Sequence, residues 1–136
     1  MQNLSPSIRH LRDLIAIPSV NPMGRDDLPP EIVGEHAVAE HLSRALGKLG
    51  LDAALVGEGG RTSVVAEARA TNAMDTLLVA SHLDTVPVDG MEIDPFDPAI
   101  EDDRVLGRGS CDTKAGMAAL LEALSRVLEN GRLARN

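Results

Sequence analysis

Leu77-Leu78-Val79-Ala80-Ser81-His82-Leu83-Asp84-Thr85-Val86-Pro87 decides how the rest of this chain is read. It begins as a short apolar run, bounded upstream by Asn72 and Asp75. Such a run fits a strand buried on both faces, as in a parallel sheet. It ends in a histidine and an aspartate two residues apart, then Pro87, which cannot continue a central strand. Ligands of open α/β sheets gather at the carboxyl ends of strands, so this imidazole and carboxylate stand where chemistry is expected. Thirty residues after His82 comes Asp112, within Gly107-Arg108-Gly109-Ser110-Cys111-Asp112-Thr113-Lys114-Ala115-Gly116, which leads into a strongly periodic helix.

Working outward, Ser5 and Pro6 read as the N-cap and first position of a helix whose apolar stripe is Ile8, Leu11, Leu14 and Ile15, ended by Pro18. Residues 18–30 hold five Pro and Gly residues and read as a surface loop. A second helix is expected from Pro30 or Glu31 to Leu49, burying Val38, Leu42, Ala45, Leu46 and Leu49, with Gly50 as its stop. Strands follow at 51–56 and 62–70, joined by a turn at 57–60, and Thr71-Asn72-Ala73 turns into the His82 strand. After a loop at 86–98, residues 99–101 and 104–106 read as a small hairpin about Asp102-Asp103. The last helix, 113–130, aligns Met117, Leu120, Leu121, Leu124, Val127 and Leu128, and Gly131 closes it. The tail 132–136 adds no element, and there is no repeat or low-complexity tract.

The chemistry is open at several positions when the residues are read alone. His82 is either a hydrogen-bonded histidine or a zinc ligand with Asp84 tuning it. Asp112 precedes a helix, so it is equally an N-cap and a metal ligand. Cys111 is a buried inert thiol or a nucleophile at a helix N-terminus. Lys114 is expected to be solvated or salt-bridged. Gly107-Arg108-Gly109 echoes a dinucleotide loop, but the third glycine position holds Asp112, which would repel a pyrophosphate. His36, Glu40 and His41 miss the inverted zincin spacing by one residue and read, like His10, as helix surface.

Taken together, Ser81 to Pro87 and Gly107 to Gly116 resemble the di-zinc metallopeptidase family that includes acetylornithine deacetylase, succinyl-diaminopimelate desuccinylase, aminoacylase and glutamate carboxypeptidase. Asp94-Pro95-Phe96-Asp97-Pro98 fits between the two motifs, and Ile17-Pro18-Ser19-Val20-Asn21-Pro22 resembles the family's first loop. The resemblance implies that His82 binds one metal, that Asp112 bridges two, and that Asp84 is the catalytic acid orienting the site beside His82. It implies a cis peptide bond after Asp112. It implies two zinc ions, with cobalt or manganese as substitutes, and hydrolysis of amide bonds in N-acyl amino acids or small peptides. The implied fold is α/β, a mixed and mostly parallel sheet flanked by helices. Residues 1–136 would be the N-terminal part of a catalytic domain. The family's later glutamate pair, further acidic ligand, late histidine and lid or dimerisation domain have no counterpart here. The 136 residues alone are therefore expected to be inactive, and the full-length protein a homodimer. Two other readings compete. One is a truncated remnant that binds or assembles through an open sheet edge. The other is a cysteine hydrolase using Cys111 and His82.

Composition narrows the classes. With 136 residues and 43% hydrophobic content the chain can hold one core. Phe96 is the sole aromatic residue, which argues against base stacking, and a net charge of −8 repels phosphate backbones and anionic lipid. Nucleic-acid and membrane partners are not expected. Cys111 is the single cysteine, so no internal disulfide can form. Met1 to Pro6 carry no positive charge or long apolar stretch, and no run approaches the roughly 20 residues of a membrane span. A cytoplasmic location is the expectation.

Overall fold

The computed structural model describes residues 4–58, 61–71 and 73–131. Gly59, Gly60 and Asn72 of the two expected turns, and the tail 132–136, lie outside the described residues.

Helix α1 spans Pro6–Ile15. Ser5 caps it as the sequence predicts, its hydroxyl accepting from the Ile8 amide at 3.4 Å. Helix α2 spans His36–Lys48, beginning later than expected. The reason lies in Gly34, at φ 94°, and in Val33, whose extended backbone pairs with Val20. Val20 donates to Ile32 O at 2.8 Å and accepts from Gly34 N at 3.0 Å, which leaves only the short 3₁₀ turn Pro30–Ile32 upstream. At the other end Gly50 acts as predicted: its amide reaches Gly47 O and that of Leu51 reaches Leu46 O, a Schellman closure.

Strands β1 (Ala53–Val56) and β2 (Ser63–Ala66) form an antiparallel hairpin, Ala53 opposite Ala66, packed on α2. β2 is shorter than the 62–70 expected. Strands β3 (Ile100–Glu101) and β4 (Arg104–Val105) pair about Asp102 and Asp103, both in the left-handed region. That is the twist a two-residue hairpin turn demands. Helix α3 spans Lys114–Glu129 and packs on α1. Leu11, Leu14 and Ile15 of α1, Val38 and Leu42 of α2, and Met117, Ala118 and Leu121 of α3 form one core. Leu120 and Val127, expected on the buried face of α3, are exposed.

The α/β class stands, but its sheet is sparse. The named strands are all antiparallel, and parallel pairing among the described residues consists of the isolated bridges Val20–Val33 and Val20–Thr85. The run from Leu77 to Ala80, read as a strand buried on both faces, is in no ladder, and Leu78 is 87% exposed. Among the described residues no strand flanks it, so neither its backbone nor its side chains find the cover that the apolar pattern calls for.

Candidate metal centre

Four segments meet around His82. Thr85 donates its amide to Ser19 O at 2.9 Å, and Asn21 donates its own to Thr85 O at 2.8 Å, so the 19–21 loop lies beside the 82–85 segment. From the other side the Thr113 hydroxyl donates to His82 O at 3.2 Å and hydrogen-bonds the Ser81 hydroxyl at 3.0 Å. The Gly107–Gly109 turn packs tightly beneath. A Cβ on Gly107 would lie 2.5 Å from Ile15 Cγ2, and one on Gly109 3.0 Å from both Lys114 Cδ and Thr85 Cγ2. Only glycine tolerates these approaches, and both residues have positive φ.

His82, Asp84 and Asp112, singled out in the sequence, are brought together. His82 Nδ1 lies 2.9 Å from the Asp84 carbonyl oxygen and 3.1 Å from Asp84 Oδ1. His82 Nε2 lies 3.1 Å from Asp112 Oδ1. Burial alone would lower the His82 pKa, but the hydrogen bonds its ring N–H groups donate to Asp112 and Asp84 together outweigh it and raise the value. Asp84 is held below the usual carboxylate range, first by a hydrogen bond from Asn21 and then, against some burial, by His82. Asp112 does not cap α3: the N-cap is Thr113, without a side-chain cap, and the Asp112 carboxylate faces the imidazole. The Asp112–Thr113 peptide is cis.

These side chains line a cleft of about 240 Å³ with Asn21, Gly109 and Cys111. Cys111 is exposed, not buried as an inert thiol would be. Both nitrogens of His82 are engaged by the two aspartates, which leaves the thiol no base there. His36 is exposed and pairs with Glu40 at 3.5 Å, and these helix residues stand apart from the cleft.

Two residues were missed or misread in the sequence. Lys114, expected to be solvated or salt-bridged, is fully buried, and its ammonium donates to Leu14 O at 2.9 Å and Ile17 O at 2.7 Å. It fastens the start of α3 to the carbonyl end of α1, where a cation is favoured. Burial lowers its pKa to about 8. Asn21, expected only as part of a loop, donates its side-chain amide to Asp84 Oδ2 at 2.8 Å. The one signal in sequence was its place in the Ile17-to-Pro22 motif.

An imidazole nitrogen and a carboxylate facing one another, with a second carboxylate behind the imidazole, are in kind the donor set of a zinc-class ion. Among the described residues no group of three or more His, Cys, Asp or Glu side chains is gathered for a metal. The donor pair is therefore His82 and Asp112, against the three protein ligands typical of catalytic zinc.

Comparison with known proteins bears on this geometry. The family model described as peptidase family M20/M25/M40 matches residues 78–136. The succinyl-diaminopimelate desuccinylase of Gluconacetobacter diazotrophicus is 38% identical over 135 residues, covering 96% of this chain and 32% of that protein. The enzyme of the same name from the Wolbachia of Brugia malayi is 31% identical over 118 residues, covering 83% of this chain and 27% of that protein. This chain thus spans about a third of the length of these curated relatives. A crystal structure of an M20 family metallo-carboxypeptidase from Sulfolobus solfataricus superposes with a TM-score of 0.83 at 30% identity, over 97% of this chain and 29% of that one. Human carnosine dipeptidase 1 superposes with a TM-score of 0.72 at 22% identity, over 93% and 29%, and shares the fold. Motif, sequence similarity and fold agree in relating this chain to the peptidases of family M20/M25/M40.

Proposed function

We propose that this chain is the N-terminal part of the catalytic domain of a metal-dependent hydrolase that cleaves amide bonds of N-acyl amino acids or small peptides. The observation that carries the reading is the convergence of His82 Nε2 on Asp112 Oδ1, with Asp84 behind His82 Nδ1. His82 and Asp112 would hold metal, the second oxygen of Asp112 remaining for a second ion. Bound ions, zinc with cobalt or manganese as substitutes, supply Lewis-acid polarisation of the substrate amide. The chain's own residues prepare the site. Asp84 keeps the proton of the neutral imidazole on Nδ1, which leaves the Nε2 lone pair for a metal. Asn21 and the 19–21 loop hold Asp84 in place, and the open cleft admits a small substrate.

Asp84 and Asp112 are the carboxylates lining the cleft, and both are committed to His82. Neither is free to serve as general base, so the 136 residues alone are expected not to hydrolyse substrate. The homodimer implied by the resemblance and the cytoplasmic location expected from composition belong to the same proposal. Among the described residues no helix is long and apolar enough to cross a membrane.

The test uses the protein as its own gene encodes it, assayed against N-succinyl and N-acetyl amino acids and dipeptides. Hydrolysis that a chelator abolishes and zinc restores, and that survives Cys111→Ser, is expected. Hydrolysis indifferent to the chelator, or lost in Cys111→Ser, would overturn the reading in favour of a thiol nucleophile.

A further inference from the structure

We propose that Asn21 is a positioning residue of the metal centre, its amide fixing the Asp84 carboxylate so that His82 is held from behind and Nε2 stays aimed at Asp112. The inference rests on the reading that His82 and Asp112 hold a metal. The chain of contacts is continuous. Asn21 Nδ2 donates to Asp84 Oδ2 at 2.8 Å, Asp84 Oδ1 faces His82 Nδ1 at 3.1 Å, and His82 Nε2 faces Asp112 Oδ1 at 3.1 Å.

The orientation of the Asn21 amide is settled by its other end. Asn21 Oδ1 accepts from the Met23 amide at 2.9 Å, a backbone N–H that can only donate, so Nδ2 is the atom left for Asp84. The backbone of Asn21 is equally fixed. Its N–H donates to Thr85 O, and Val20 before it is fully buried and bridged to both Val33 and Thr85. The loop is therefore a rigid mount, and its side chain reaches the one carboxylate oxygen that His82 does not use.

That contact has a specific consequence. A carboxylate with one oxygen free could rotate about its Cβ–Cγ bond, either leaving Nδ1–H without its side-chain acceptor or turning toward the cleft. With both oxygens engaged it does neither. Outer-shell partners of this kind change metal affinity by about 10–100-fold when removed.

The experiment compares wild type, Asn21→Ala, Asp84→Ala and the double variant in the protein as its gene encodes it. Cobalt(II) is titrated by its visible absorption, and thermal midpoints of the metal-free proteins are recorded alongside. Asn21→Ala is expected to weaken cobalt binding by roughly 10-fold or more. In the Asp84→Ala background the same change is expected to cost less than about twofold, because the residue acts through Asp84. Asn21→Asp keeps an oxygen for the Met23 amide but offers no donor to Asp84. It should weaken binding as well, and it serves if the alanine variant does not fold. An equal loss in both backgrounds, or no loss from Asn21→Ala, would overturn the inference. His82→Ala separates the two levels. If it weakens cobalt binding while Asn21→Ala does not, only the role of Asn21 fails. If His82→Ala changes nothing, the metal reading fails and this inference with it.

Discussion

Val20 and Leu78 are both aliphatic residues close to the candidate centre, and they have opposite fates. Val20 is fully buried, whereas Leu78 is 87% exposed. Around Val20 the backbone is satisfied on both sides, by Ile32 and Gly34 and, through its neighbours, by Thr85. The run from Leu77 to Ala80 belongs to no ladder. Cover follows backbone pairing here, not hydrophobicity, because an extended segment buries its side chains only when strands beside it complete the surface. His82 stands at the seam between the two regions and is held by the paired one, through Asp84 and Thr113.

The largest test of this contrast is in the core that supports the paired region. Leu14→Ala empties a fully buried position and should cost about 2–5 kcal/mol in urea unfolding. Leu78→Asn should change stability by less than about 0.5 kcal/mol, since the side chain is already in water. A large loss from Leu78→Asn would show that the run is covered in solution and would break the comparison. If Leu78→Asn instead abolished a concentration-dependent self-association of the 136-residue chain, the assembly reading would gain at the expense of the hydrolase.

A smaller effect is expected at His41 on α2. Burial lowers its pKa, with Asp13 opposing and Arg44, His10 and Lys48 reinforcing. A folded-state value below the unfolded one of about 6.5 means that the unfolded chain takes up the proton first. Its contribution to stability is therefore complete above pH of about 6.5 and is lost as pH falls through the folded value. His41→Gln should flatten the acid side of the stability curve. A wild-type curve that rises on acidification more steeply than that of the variant would contradict this.

What could be read in the sequence was local. Ser5 before Pro6, Gly50 after the apolar stripe, and Asp102-Asp103 between two short strands each announce structure within a few residues of themselves, and the structure has a cap, a closure and a turn there. His82 and Asp84 were legible for the same reason, and Asp112 because its motif leads directly into a helix. What was missed depends on partners far along the chain. Asn21 meets Asp84 across 63 residues, and Lys114 meets Leu14 across 100. Nothing near Lys114 in the sequence reveals that two helix-end carbonyls will replace its water. The late start of α2 is a similar case. Its first residues could have been helical, but Val33 and Gly34 are drawn into pairing with Val20.

The most direct test of the account is the zinc affinity of the protein as its gene encodes it, measured by chelator competition for wild type, His82→Ala and Asp112→Ala. The account predicts that each substitution weakens binding by more than the roughly 10–100-fold that removal of an outer-shell partner costs. Zinc held as tightly by both variants as by wild type would contradict it and leave the facing of His82 and Asp112 as an ordinary ion pair.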